Sequence, residues 1–183
     1  MTKQLREVEV KRLNRHWRRA TTARIDLLLD GIQGPYNLGG ILRTAAALGV
    51  EVVWLAGSSV DPSHPSVRKV SMGTERSLRW EVGMTASDAV AAVREDGLRV
   101  VGVELADGAV PLHEAPLEGD VCLVLGNEDK GLSPATLSLC DAVAYLPQPG
   151  KVGSLNVAVA AAVALAEARR REWLTAPPPG SWY

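Results

Sequence analysis

Five short apolar runs recur along the chain: "RIDLLLDGI" (24–32), "VEVVWLAG" (50–57), "LRVVGVEL" (98–105), "VCLVLG" (121–126) and "AVAYLP" (142–147). Most of their central positions are apolar without alternation, the pattern of strands buried on both faces. Segments of helical character separate them. "LGGILRTAAALGV" (38–50) places Leu38, Ile41, Leu42, Ala45 and Leu48 at helical spacing, with Gly49 as its stop. "SDAVAAVREDG" (87–97) has Ser87 as a cap candidate and Gly97 as a stop, and Ser133-Pro134 reads as a cap followed by a first helical residue. A helix is expected from Ser154 to Trp173, its Arg169, Arg170 and Arg171 favouring the C-terminal end. Strands alternating with helices predict an α/β fold with a mainly parallel sheet covered on both faces. Residues 57–80 read as loop, because "SSVDPSHPS" and the basic "VRKVSMGTERSLRW" are too mixed for core.

The 183 residues suit one compact domain, here 25–173, with a basic helical arm at 1–24 and a Pro/Gly-rich tail at 174–183. The arm holds eight basic residues against Glu7 and Glu9, while the whole chain carries a net charge of −1, so the body is acidic. A basic arm on an acidic body suits a polyanion partner; a solvated helix face is the plainer alternative. Arg12, Arg15, Arg18 and Arg19 are the arm's candidate contacts. No apolar run approaches the roughly 18 residues that cross a bilayer, and the charged first segment does not resemble a secretory signal. Cys122 and Cys140 lack CxxC spacing, and His16, His64 and His113 are scattered and expected to be exposed. A disulfide framework and a metal centre are therefore not expected, and the reading places the protein in the cytoplasm, away from membranes.

Three segments carry polar residues that a fold alone does not require. Asn37 to Arg43 joins a buried strand to a helix, where open parallel sheets bind ligands. In "LGNEDKGLS" (125–133), Gly126 and Gly131 bracket Asn127, Glu128, Asp129 and Lys130 without forming a phosphate loop. In "LPQPGKVGSLNVAVA" (146–160), Ser154 is a plausible helix cap, and Asn156 falls in the first turn among apolar neighbours.

In order and spacing, "NLGGILRTAAALGV", "LVLGNEDKGLS" and "LPQPGKVGSLNVAVA" resemble the three motifs of the SpoU (TrmH-like) branch of the SPOUT RNA methyltransferases, over roughly residues 25–172. The resemblance implies S-adenosylmethionine-dependent methylation of a ribose 2′-hydroxyl in RNA, a C-terminal trefoil knot, and a homodimer built on the knot and the terminal helix. It implies a cofactor cradle of Val103, Leu125, Gly126, Asn127, Leu146, Pro147 and Leu155. Arg43 matches the catalytic arginine, with Asn37, Glu128, Ser154 and Asn156 around it; Glu128 is expected to hold Arg43 or its helix. The methyl group arrives already activated by its sulfonium, so no metal is required. The segment 67–80 resembles the family's substrate loop, making Arg68, Lys69, Ser71, Arg76 and Arg79 candidate phosphate contacts; Trp17 and Trp80 are candidate stacking residues. The short basic arm is similar to the terminal extensions of transfer-RNA ribose methyltransferases, which ranks tRNA slightly ahead of rRNA. A catalytically silent RNA-binding or ribosome-assembly factor of the same fold is the competing reading. A knotted methyltransferase acting on a base or a small molecule is a third, against which the "SLN" of the last motif argues.

Overall fold

The computed structural model describes residues 3–175. Its sheet has seven strands in the order β3-β2-β1-β6-β4-β7-β5, and every neighbouring pair is parallel. In chain order the elements are α1 (Glu7–Ala20), β1 (Ile25–Asp30), α2 (Pro35–Ala47), β2 (Val52–Ala56), α3 (Pro65–Ser71) and β3 (Arg79–Met84). They continue with α4 (Ala86–Glu95), β4 (Arg99–Val103), β5 (Val110–Pro111), β6 (Val121–Leu125), α5 (Pro134–Ser138), β7 (Ala142–Tyr145) and α6 (Val157–Thr175).

The alternation of side chains along each strand divides the core between two faces. Leu27 and Leu29 of β1, with Leu123 and Leu125 of β6, pack against Leu38, Ile41, Leu42 and Ala45 of α2 and Ala161, Ala164, Leu165 and Ala168 of α6. On the opposite face Leu28, Trp54, Val100, Cys122 and Val124 meet Ala89, Val90 and Val93 of α4. Both faces are thus covered, as the continuous apolar runs require.

The expected loop at 57–80 holds instead α3, a short 3-10 turn at Thr74–Ser77 and strand β3. β3 is an edge strand beside β2, with Arg79 exposed and Glu81 half-buried, so its sequence lacks the apolar run that marks an inner strand. Helix starts also differ from expectation. α2 begins at Pro35, where the fixed φ of proline suits the first helical position. α4 is capped by Thr85, whose side chain accepts from the amide of Asp88 while the Asp88 carboxylate accepts from the amide of Thr85; Ser87 lies inside the helix. α6 starts at Val157, and its cap is Asn156 rather than Ser154: Asn156 Oδ1 accepts from the amides of Ala158 (2.9 Å) and Val159 (3.4 Å). Ser133 caps α5 as expected, accepting from the amide of Thr136.

The arm forms α1 over Glu7–Ala20 with no buried residue, and Trp17 meets Trp173 of α6 with ring centroids 4.8 Å apart. Arg24 belongs to the body: its guanidinium donates to both oxygens of the fully buried Asp26 (3.1 and 2.9 Å). Arg169 is a buried clamp, not an exposed complement to the helix dipole. It donates to the carbonyls of Ala23, Leu48 and Gly49 and to Glu172 Oε2. Of the three histidines, His64 and His113 are exposed and His16 is half-buried. The expected Pro/Gly-rich tail falls largely on residues 176–183, outside the described residues.

Candidate active site

The three polar segments meet at the carboxyl ends of β1, β4, β6 and β7. Glu128, in the turn after β6, reaches across to the start of α2. Its Oε1 accepts from the amide of Gly34 (2.7 Å) and from Asn37 Nδ2 (3.0 Å), and its Oε2 accepts from the amide of Gln33 (3.1 Å). Asn37 Oδ1 in turn accepts from Asn156 Nδ2 (2.9 Å), and Asn156 caps α6. One continuous relay, Glu128–Asn37–Asn156, therefore ties the three segments together. Glu128 holds the helix that bears Arg43, and among the described residues no hydrogen bond or ion pair joins it to the Arg43 guanidinium.

Burial raises the pKa of Glu128, but the hydrogen bonds from Asn37, its own amide, Gln33 and Gly34 together outweigh it and leave the value below the ordinary carboxylate range. The folded-state pKa is depressed, so Glu128 contributes stability that is in place above the ordinary glutamate value of about 4.3 and is lost as pH falls through the lowered one. The pH profiles of urea unfolding for wild type and Glu128→Gln should accordingly diverge above that range and converge in acid. A gap that persists unchanged in acid would remove the charge from this account.

The second segment makes a tight turn. Asn127 and Gly131 exchange two main-chain hydrogen bonds, and Asn127 Oδ1 accepts from the amides of Asp129 and Lys130. Asn127 Nδ2 donates to the carbonyl of Gly31 after β1 (2.8 Å). A Cβ at Gly126 would come within 2.3 Å of the Gly131 carbonyl carbon, so only glycine lets the two limbs of the turn approach.

Beside this turn lies a cleft of about 320 Å³. Six of the seven expected cradle residues line it: Val103, Leu125, Gly126, Asn127, Leu146 and Leu155, together with Ser154 and Glu128. Pro147 does not. The chain turns after Leu146, and Pro147 lines a neighbouring apolar groove with Ala158, Val159, Ala162 and Val163 of α6. Among the polar side chains of the cleft that sequence reasoning did not assign to the site are Glu104 and Gln148. Glu104 follows Val103 at the end of a buried strand, a position where a carboxylate is itself a signal. Gln148 Oε1 is a buried acceptor with no hydrogen-bond partner among the described residues. Apolar walls, close backbone, an unsatisfied acceptor and a carboxylate suit a cationic adenosyl cofactor, so the residues present fit S-adenosylmethionine.

Arg43 stands exposed on α2, where Nη1 donates to Met72 Sδ (3.0 Å). Met72 closes α3 in a left-handed conformation (φ 55°), the one non-glycine residue among those described with positive φ. Arg68, Lys69 and Arg76 are exposed on the same segment. Ser71 is fully buried and donates to Glu75, which withdraws it from the candidate phosphate contacts. Trp80 is half-buried against the core and Trp17 packs on Trp173, so both indoles already serve the fold. Arg12, Arg15, Arg18 and Arg19 are exposed on α1, away from ion pairs among the described residues. No group of three or more His, Cys, Asp or Glu among the described residues is arranged to hold a metal. Among the same residues, no helix is long and apolar enough to cross a membrane.

Comparison with known proteins places this geometry. Residues 24–166 match the model of the SpoU rRNA Methylase family. The chain is 37% identical over 146 residues to the 23S rRNA (guanosine-2′-O-)-methyltransferase RlmB of Acinetobacter baylyi, a match covering 79% of this chain and 59% of that protein. It superposes on the AdoMet-bound rRNA methyltransferase of Sinorhizobium meliloti with a TM-score of 0.77 and 32% identity, over 83% of this chain and 58% of that one. A solved structure concerned with 2-OH methylation of C/U34 on tRNA matches at 31% identity and a TM-score of 0.72, over 84% of this chain and 97% of that one. The chain spans less than two thirds of the length of these curated relatives. By sequence and by fold together, the chain belongs to the SpoU rRNA methylase family.

Proposed function

We propose that this chain transfers the methyl group of S-adenosylmethionine to a ribose 2′-hydroxyl of RNA. The observation that carries the reading is the Glu128–Asn37–Asn156 relay, which sets the start of α2, and with it Arg43, beside a cleft suited to the cofactor. The cofactor supplies a methyl group already activated for transfer by its sulfonium. The protein's part is to hold the nucleophile. A ribose hydroxyl is weak until its developing negative charge is stabilised, and the Arg43 guanidinium, with its planar fork of donors, orients the ribose-phosphate and stabilises the alkoxide. Asn37 and Asn156 keep α2 and α6 in register, Glu128 fixes the N-terminus of α2, and Ser154 stands at the rim of the cleft. Val103, Leu125, Gly126, Asn127, Leu146 and Leu155 would hold the adenosyl group.

We further propose that the protein works in the cytoplasm as a homodimer. The groove of Pro147, Ala158, Val159, Ala162 and Val163 would be covered by a second copy. The family's trefoil path draws support from the strand order, in which β6 inserts between β1 and β4, and β7 between β4 and β5. Transfer RNA is placed slightly ahead of ribosomal RNA. The exposed arginines of α1 and the likeness to a solved structure concerned with 2-OH methylation of C/U34 on tRNA support that order.

The test is incubation with radiolabelled S-adenosylmethionine and separate pools of unmodified tRNA and rRNA, followed by nuclease digestion and mass spectrometry. A 2′-O-methylated nucleoside from one pool supports the reading and names the RNA class. Cofactor binding without label in either pool turns the assignment to a silent RNA-binding factor.

For the RNA surface, we propose that Arg12, Arg15, Arg18 and Arg19 of α1 and Arg68, Lys69 and Arg76 beside Arg43 contact phosphates. Changing the four α1 arginines to glutamine should weaken RNA binding and flatten its salt dependence by about 0.7–0.9 in slope for each phosphate no longer neutralised. Substitution is preferable to truncation, which would also remove Trp17 from Trp173. An unchanged slope in filter-binding titrations would return α1 to a solvated helix.

A further inference from the structure

The cleft is lined by three carboxylates, Glu104, Glu128 and Asp129, against one ammonium, Lys130. Their surroundings differ. Glu128 is consumed by the start of α2, and Asp129 and Lys130 are exposed to water. Glu104 is half-buried at the end of β4. Its Oε1 accepts from the amide of Leu105 (2.9 Å) and its Oε2 from the amide of Leu132 (2.8 Å). Both donors are neutral, and among the described residues no cation pairs with it. The turn after β6 lies against it, for a Cβ on Gly131 would come within 2.3 Å of Glu104 Oε2. The carboxylate is therefore fixed in place, has no cationic partner among the described residues, and lines the cleft half-buried, where a charge acts more strongly than in bulk water.

We propose that Glu104 is a specificity-determining residue that makes the cleft prefer the sulfonium cofactor over its thioether product. The inference rests on the assignment of the cleft to S-adenosylmethionine. Substrate and product share the adenosine and the amino acid, and they differ by a methyl group and one positive charge at sulfur. Apolar walls and backbone groups serve both alike. A fixed, unpaired carboxylate favours the cation, and its attraction for the ligand ends when the methyl group leaves. Glu104 thereby holds the sulfonium form more tightly than the spent cofactor and takes no part in the transfer itself.

The experiment is calorimetric titration of the full chain with S-adenosylmethionine and, separately, with S-adenosylhomocysteine. Glu104→Gln keeps an acceptor for the turn and removes the charge. It should weaken the methionine form by about tenfold and the homocysteine form by less than about threefold, the difference expected for removing one charged partner. Glu104→Asp, which keeps the charge, should retain most of the wild-type ratio. Equal losses for both ligands would mean that Glu104 only supports the turn, and would overturn the proposal. If Glu104→Gln does not fold, the wild type still decides: affinity for the cation should fall with salt more steeply than affinity for the thioether, and parallel slopes overturn the proposal. Wild-type protein that binds neither ligand overturns the cofactor assignment itself, an outcome distinct from an unchanged ratio.

Discussion

Arg43→Ala is expected to lower single-turnover methyl transfer by about 10²–10³-fold, the scale of losing one aligned donor to a developing oxyanion, while leaving S-adenosylmethionine affinity within about twofold of wild type. The two effects separate because Arg43 is exposed on α2 and lines no part of the cofactor cleft. Its contact with Met72 Sδ is a weak one and holds the guanidinium over the α3 segment, where RNA phosphates are proposed to lie. Arg43→Lys sharpens the test. Lysine restores charge but not the planar fork, so it should recover only part of the loss if Arg43 grips phosphate and alkoxide together. Stability should change little, since no buried partner is removed. Turnover near the wild-type rate in Arg43→Ala would place the oxyanion donor elsewhere.

Where sequence failed to foretell structure, burial or partnership was decided by distant residues. β1, β2 and β6 are buried on both faces, so their apolar runs announce them. β3 is an edge strand and β5 only two residues long, and neither leaves such a run. The N-terminus of α6 offers Ser154 and Asn156 two positions apart. Asn156 takes the cap because its amide nitrogen also reaches Asn37, a partner 119 positions away. The same holds in the site. The three segments converge, and of the two targets expected for Glu128, Arg43 or its helix, the carboxylate takes the helix, at its start. Ser71 stands in a basic stretch yet is buried on Glu75. Arg169 sits in a run of three arginines in which nothing local distinguishes the buried one.

Arg169 carries the largest expected effect on stability. It lies 2% exposed and joins four groups: the carbonyls of Leu48 and Gly49 just past α2, the carbonyl of Ala23 before β1, and Glu172 one turn along α6. Glu172 also accepts from the amides of Thr22 and Ala23, so one guanidinium–carboxylate pair fastens α6 to the entry of β1 and the exit of α2. Arg169→Ala should cost about 3–5 kcal/mol, because breaking one side of a buried pair leaves polar groups dehydrated without their donor. At about 2–4 °C per kcal/mol for a chain of this size, that is a fall in Tm of roughly 10 °C by calorimetry. Replacing Arg169 and Glu172 together by leucine separates the causes. Apolar substitution of a whole buried pair is often neutral, but here three carbonyls and two amides also lose their partners, so the double variant should recover only part of the loss. Full recovery would assign the cost to the charge pair alone. The clamp grips α2 at the end opposite Asn37, and the cofactor cleft lies at the other end of the strands. Folded Arg169→Ala should therefore still bind S-adenosylmethionine with near wild-type affinity well below its lowered Tm, so that loss of activity follows loss of fold.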